Sequence, residues 1–461
     1  MGRARMLART VRWRARPLWS FVLLMGLLVG GVALPGAPSV AQEPASIRFA
    51  FWGDLTEQAA YERVVTAFER TRPDVDIVVD YTPGQADYYR KITTDFAGGD
   101  PPDVFLINYR QFGQYAARGA LEPVAPYLAS SEAIAAVNYA PIAMDAFMFR
   151  GAQVCMPQNV SSLVVYYNVD LFTANDVPLP EAGWTWNDFI SAARALTQDT
   201  DGDGQTDLYG VVVEPVMYRM ASFVWSAGGE VVDDVDSPTA LTLDTPEARD
   251  GLEKFISLGV NGHNVVPPEA EVAAEDDGTR FMRGEAAMFL QSRREVPTLR
   301  EIETFTWDVA PLPVIAEEAT VLHSDAFCMA EDGDAKDAVW SFVEYAAGDE
   351  GQRILAETGR IVPALDSVAQ SAVFLNGVPI ASDAATETPE ALPPANSQVF
   401  LDNIAVMHRL PSLSTWPEVE DVFNAEFDRS FYAPLDVPAA VATVTAKSRA
   451  AFDRAAVEDF E

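Results

Sequence analysis

Residues 154–172 read VCMPQNVSSLVVYYNVDLF, which places Gln158, Asn159, Ser161 and Ser162 just after a proline and between two apolar runs. Side-chain amides and hydroxyls donate and accept hydrogen bonds without ionising, so this set suits the binding of a polar ligand. Pro157 removes a backbone donor and fixes one dihedral, so a strand can reach this point and stop. The stretch therefore reads as a crossing between two lobes, with polar side chains at a ligand. The apolar run that follows ends at Tyr166-Tyr167-Asn168 and reads as framework of the second lobe.

A second constellation could hold a metal. In the run from Asp199 to Asp207, oxygens come from Asp199, Asp201, Asp203, Gln205 and Asp207 at positions 1, 3, 5, 7 and 9 of an EF-hand-like loop, with Gly204 at position 6. Position 12 is Gly210 instead of the usual bidentate glutamate, and Glu214 is the acid that could replace it. A structural Ca2+ is one expectation for this loop; a solvated loop of Asx turns is the other. No other cofactor is expected.

Catalytic sets are harder to assemble. His263, His323 and His408 are dispersed, there is no Cys-x-x-Cys and no Gly-x-Ser-x-Gly elbow. A glycosidase needs two carboxylates at a fixed separation, and the abundance of acids leaves that rival open on composition alone. The reading is nonetheless a binding protein and not an enzyme.

Charge removes another class. The chain has 461 residues with 32 Lys and Arg against 68 Asp and Glu. Six of the arginines (Arg3, Arg5, Arg9, Arg12, Arg14 and Arg16) lie in the first 41 residues, leaving 26 basic against 68 acidic groups beyond them. Such a surface repels a polyanion, so nucleic acid is not a partner. Those arginines precede an apolar core from Leu18 to Leu34 and the small-residue run Ala37-Pro38-Ser39-Val40-Ala41, the pattern of a signal peptide spanning 1–41. The protein is expected to be secreted, in a periplasm or on the outer face of the cell membrane.

The elements that must position these residues alternate. Ile47 to Trp52 is a strand, Glu57 to Arg70 an amphipathic helix, Val75 to Tyr81 a strand, Tyr88 to Phe96 a helix and Asp103 to Ile107 a strand. Alternation of this kind favours a mainly parallel sheet covered by helices, with ligands beyond the carboxyl ends of the strands, here Trp52-Gly53-Asp54 and Asn108-Tyr109-Arg110. Further along, Leu208 to Val213, Ala286 to Leu290, Trp307 to Leu312 and Ala326 to Ala330 read as strands. Thr185 or Asn187 opens one helix and Thr245 another, and 379–397 is an Ala- and Pro-rich excursion.

Seven short motifs fall in one order along nearly the whole chain: Trp52-Gly53-Asp54; Gly98-Gly99-Asp100-Pro101-Pro102-Asp103-Val104; Met156-Pro157 with Tyr166 to Phe172; Trp186-Asn187-Asp188-Phe189; Trp225-Ser226-Ala227-Gly228-Gly229; Phe281 to Met288; and Gly359 to Ala364. In that order they closely resemble the extracellular solute-binding proteins of ABC importers, specifically the carbohydrate-binding family that includes maltose-binding protein. The resemblance implies an α/β, two-lobed periplasmic-binding-protein fold with a ligand cleft between lobes. Lobe one takes 45–154 plus 326–366, and lobe two takes 157–325 plus 367–461. It further implies a monomer that closes on a mono- or oligosaccharide like a hinge and is recognised by the membrane permease subunits.

Carried over position by position, the resemblance makes Asp54 an acceptor of sugar hydroxyls and puts Asn108 and Arg110 on a loop facing the cleft. Gln291, Ser292, Arg293 and Arg294 fall where many relatives place a tryptophan. The arginine pair there admits an anionic ligand, such as a glycerol-phosphate ester, because guanidinium is a planar donor fork. Trp52, Trp225 and Trp416 are the stacking candidates. Gly228, Gly229, His323 and Ser324 complete the expected set. Cys155 and Cys328 fall on the two strands expected to cross side by side, and a disulfide between them is one expectation, two buried thiols the other.

Overall fold

The computed structural model describes residues 44–333, 335–377 and 391–460. The expected signal peptide, 1–41, lies outside the described residues, as does 378–390 within the Ala- and Pro-rich excursion.

The first half of the fold grows from one strand. β1 (Ala45–Trp52) is buried at Ile47 and from Phe49 to Trp52, and β2 (Val75–Thr82) pairs with it in parallel from Ala45–Val75 to Trp52–Thr82. α1 (Leu55–Thr71) makes the crossover: Asp54 accepts the Glu57 N–H as its cap, and Ala60, Tyr61, Val64, Val65 and Phe68 form its buried face. α2 (Gln85–Gly98) ends at Gly99, whose φ of +71° is the left-handed cap geometry that glycine adopts without a Cβ clash. It leads to β3 (Val104–Asn108), parallel to β1 on its other side. α3 (Tyr109–Ala116) and the short β4 (Leu121–Glu122) follow. Phe49 anchors the interior, with Phe51, Tyr61 and Phe342 ring centroids 5.0, 5.6 and 5.1 Å away.

The chain returns to this sheet late. The strand Asp325–Ala330 pairs antiparallel with β3, and its other edge takes β4 and, further along, Met156–Pro157. A second sheet is built on the wholly buried Val164–Asn168, flanked by Met288–Gln291 and Trp307–Ala310. Both flanking pairs are antiparallel, where the alternation of strands and helices had pointed to parallel pairing. Residues 208–213 join this sheet through single bridges, Tyr209 to Ala286 and Val212 to Phe289, and form no continuous strand.

Two crossing segments connect the sheets and run antiparallel to one another. Ser161 and Ser162 pair with His323 and Leu322 on one side of the crossing, and Met156 and Pro157 pair with Phe327 and Ala326 on the other. Between these pairs Asn159 fastens the crossing. Its Oδ1 accepts the Asp325 N–H at 2.8 Å, its Nδ2 donates to the His323 carbonyl at 3.0 Å, and its own carbonyl accepts the Ser324 hydroxyl at 2.6 Å. Cys155 and Cys328 continue the same register, with Cα atoms 4.6 Å apart, and are joined by a disulfide across a sequence separation of 173 residues.

Closing so long a loop restricts the unfolded chain. The paired Cys155→Ser and Cys328→Ser variant is therefore expected to lose about 2–5 kcal/mol of stability, read from its urea midpoint. A non-reducing peptide map should contain the cross-linked peptide; its absence would show that the two thiols are merely buried neighbours.

Candidate functional site

A cavity of about 330 Å³ opens where the two crossing segments meet the carboxyl ends of β1 and β3. The strand ends bring Trp52 and Asn108, the crossings bring Gln158, Asn159, Ser161, His323 and Asp325, and the second sheet brings Gln291, Ser292 and Arg294. Tyr218 and Arg219 enter from the helix Met217–Ser226. Trp52 rests on Tyr88 and Tyr89, ring centroids 4.9 and 5.4 Å away, and the Tyr89 hydroxyl accepts the Asn108 N–H. The Tyr218 ring has the guanidinium carbons of Arg110 and Arg219 at 4.4 and 5.1 Å, and its ring meets that of His323 edge-on. Amides, hydroxyls, charged groups and two aromatic rings thus share one small volume.

Every arginine on this cavity already has a carboxylate. Arg110 lies 2.7 Å from Glu420, Arg219 lies 2.7 Å from Glu214, and Arg294 lies 3.3 Å from Glu295. Arg360 bridges Asp54 and Glu57, the latter at 2.8 Å. Glu57 can fold back to that position because residue 53 is glycine: a Cβ there would lie 1.9 Å from the Glu57 Oε2. Burial dominates and pushes the Glu57 carboxyl up to about 7, with Arg360 pulling it down. Burial also raises Asp325, against a hydrogen bond from Asn108 Nδ2 at 3.0 Å. Burial and the nearby Arg110, Arg219 and Arg294 hold His323 far below the ordinary histidine range, so it lines the cavity as a neutral ring.

The structure divides the residues expected at the ligand. Trp52, Asn108, Arg110, Gln158, Asn159, Ser161, Gln291, Ser292, Arg294 and His323 are brought together on the cavity. Asp54 caps α1 and pairs with Arg360, and Ser324 is fully buried on the Asn159 carbonyl. Trp416 is a core residue whose Nε1 donates to Glu420, and Trp225 stacks on His408 at 4.9 Å, so neither is a platform for the cavity. Gly228, with φ +82°, terminates the helix carrying Trp225, and a Cβ on Gly229 would stand 2.5 Å from the Ala248 backbone. The arginine pair splits: Arg293 is fully buried between Phe374 and Phe400 and donates to the Phe374 carbonyl and the Ser397 hydroxyl. Burial lowers its pKa to about 9, and only Arg294 reaches the cavity.

Sequence reading missed Glu57, Gln85, Tyr218, Arg219, Asp325 and Arg360 as cavity residues. Two signals were available. Arg360 sits inside the Gly359 to Ala364 motif, and Gly53 before an acid-rich first helical turn marks a close approach.

In the acidic loop, the carboxylates of Asp199, Asp201 and Asp207 lie within 4.8 Å of one another. Asp203 instead accepts the Gln205 N–H and side-chain amide, and two hydrogen bonds from Thr200 hold Asp207 below the usual carboxylate range. Glu214 cannot complete this loop, because Arg219 holds it at the cavity.

The raised Glu57 carboxyl fixes a pH dependence. Between its ordinary value of 4.5 and about 7 the folded state keeps a proton that the unfolded chain has released, so this group's contribution to stability falls as pH rises through that window. Glu57→Gln should flatten the decline of melting temperature between pH 5 and pH 8. Identical slopes in the two proteins would show that Glu57 titrates normally.

The family model of bacterial extracellular solute-binding proteins matches residues 52–353. A maltotriose-binding protein of Pyrococcus abyssi is 22% identical over 66% of this chain and 63% of its own. An ABC substrate-binding protein of Listeria monocytogenes, solved with cycloalternan, is 24% identical, covers 90% of this chain and 99% of its own, and superposes with a TM-score of 0.76. A solute-binding protein of Thermotoga lettingae bound with alpha-D-tagatose is 18% identical, covers 88% of this chain and 100% of its own, and gives 0.74. Among the described residues no helix is long and apolar enough to cross a membrane. With the two-lobed α/β fold and more than half of its length matched, this chain belongs to the bacterial extracellular solute-binding proteins.

Proposed function

We propose that this protein is the extracytoplasmic substrate-binding subunit of an ABC importer, taking a carbohydrate into the cavity between its lobes and delivering it to the permease. The observation that carries this reading is the lining of the 330 Å³ cavity, where Gln158, Asn159 and Ser161 of one crossing segment and His323 and Asp325 of the other share the space with the rings of Trp52 and Tyr218. A sugar offers apolar C–H faces to an aromatic plane and hydroxyls that need paired donors and acceptors. The volume lies at the small end of ligand sites, which favours a mono- or disaccharide over a long chain. Contacts from both lobes give the closed form its higher affinity, and differential affinity is what drives hinge closure. The Arg-rich, apolar leader of residues 1–41 supports export, and the protein acts as a monomer without chemistry of its own.

Differential scanning fluorimetry against mono-, di- and oligosaccharides is expected to find a ligand that raises the melting temperature with concentration, since it binds only the folded state. Hours of incubation should return that ligand intact; its hydrolysis would sink the binding-only reading.

A structural Ca2+ in the Asp199–Asp207 loop is a second, separate proposal, supported by three converging carboxylates that offer the oxygen ligands calcium prefers. Calorimetric titration after chelation should show saturable heat and a raised melting temperature. No heat and no shift would remove the metal.

A further inference from the structure

The charges around the cavity do not balance. Arg110, Arg219, Arg294 and Arg360 are each engaged, by Glu420, Glu214, Glu295 and the pair Asp54 and Glu57 respectively. Asp325 is left over. It lines the cavity, takes a hydrogen bond from Asn108 Nδ2 at 3.0 Å and makes no direct ion pair among the described residues, with Arg294, Arg110 and Arg360 acting on it only from further off. Six carboxylates therefore stand around four guanidinium groups, and the two in excess are Asp325 and one of the two that share Arg360.

We infer that the ligand is an amine-bearing saccharide, an amino sugar or aminocyclitol glycoside, whose ammonium group meets Asp325 and Glu57. The inference rests on the carbohydrate reading and narrows it to a substrate class. A half-buried carboxylate without a direct counter-charge is costly to keep ionised, and an ammonium supplies both the charge and three donors from a compact centre. A neutral hydroxyl can donate to Asp325 but leaves the surplus charge in place. A sugar phosphate or uronate is disfavoured, because every guanidinium it could use must first give up a carboxylate, and the surplus charge would repel it. Burial raises both the Glu57 and the Asp325 carboxyls, against the pull of the neighbouring arginines.

The purified protein is tested by calorimetry and thermal shift against matched sets that differ only in one substituent. The sets are glucose, glucosamine, N-acetylglucosamine and glucuronic acid, their galactose counterparts, and cellobiose with the deacetylated and diacetylated chitobioses. An amine-bearing member is expected to bind roughly ten-fold tighter than its hydroxyl isostere, the difference between a charge-assisted and a neutral hydrogen bond. Asp325→Asn, which keeps an acceptor for Asn108, should bring that ratio to about one; Glu57→Gln, assayed alongside it, should also lower the ratio. Circular dichroism and melting of each variant establish that it is folded. If the neutral, N-acetyl or acidic member binds as tightly as the amine, or if folded variants keep the preference, the inference is overturned while the carbohydrate reading stands. If no member of any set binds, the inference falls, and the carbohydrate reading is decided by the wider saccharide panel above.

Discussion

Asn159 holds the crossing on which the rest of the molecule depends. Two chain segments leave one sheet for another side by side, and between their paired ends the backbone groups of His323 and Asp325 must find partners away from water. An unpaired buried backbone group costs as much as a lost hydrogen bond. The Asn159 side chain satisfies the Asp325 N–H and the His323 carbonyl at once, while its own carbonyl takes Ser324. An asparagine has the donor and the acceptor needed for this; an aspartate or leucine has not. That bonding places Gln158 to Ser161 beside His323 and Asp325, so one set of hydrogen bonds both joins the lobes and builds the cavity wall. The Cys155–Cys328 bond repeats the tie covalently further into the large sheet.

The same crossing accounts for the concentration of charge. Buried ion pairs seldom add stability, because desolvation offsets their attraction. The four cavity arginines, of which Arg294 is more than half exposed, therefore contribute more by ordering the site than by stabilising the fold. Each pair also orders its neighbours: Glu214 orients Arg219, which donates to the Leu290 carbonyl and Gln291 Oε1, and Glu420 ties Arg110 and Trp416 together. Such preorganisation leaves fewer rotamers to freeze when a ligand arrives.

Much of this was legible before any coordinates. The alternation of β1, α1, β2, α2 and β3 follows from apolar periodicity and turn residues, and a cap such as Thr245, which accepts the Ala248 N–H, follows from residue type. The crossing at Pro157 and its polar side chains were readable for the same local reason. The direction of strand pairing in the second sheet was not, because the partners of Val164–Asn168 lie more than a hundred residues away. Nor were the sites of Trp225 and Trp416, since a tryptophan suits a core and a sugar platform equally well by composition.

Arg293 and Arg294 show where sequence stops. By itself the chain determined the family order of its motifs, most of its elements, the crossing segment and the acidic surface. Only the tertiary structure decided that one arginine of an adjacent pair lies between two phenylalanines while its neighbour reaches the cavity, and that Asp325 faces that cavity. Neighbouring residues point different ways, and the environment each side chain meets is supplied by segments distant in sequence. Local pattern fixes what a segment forms; packing fixes what each of its side chains faces.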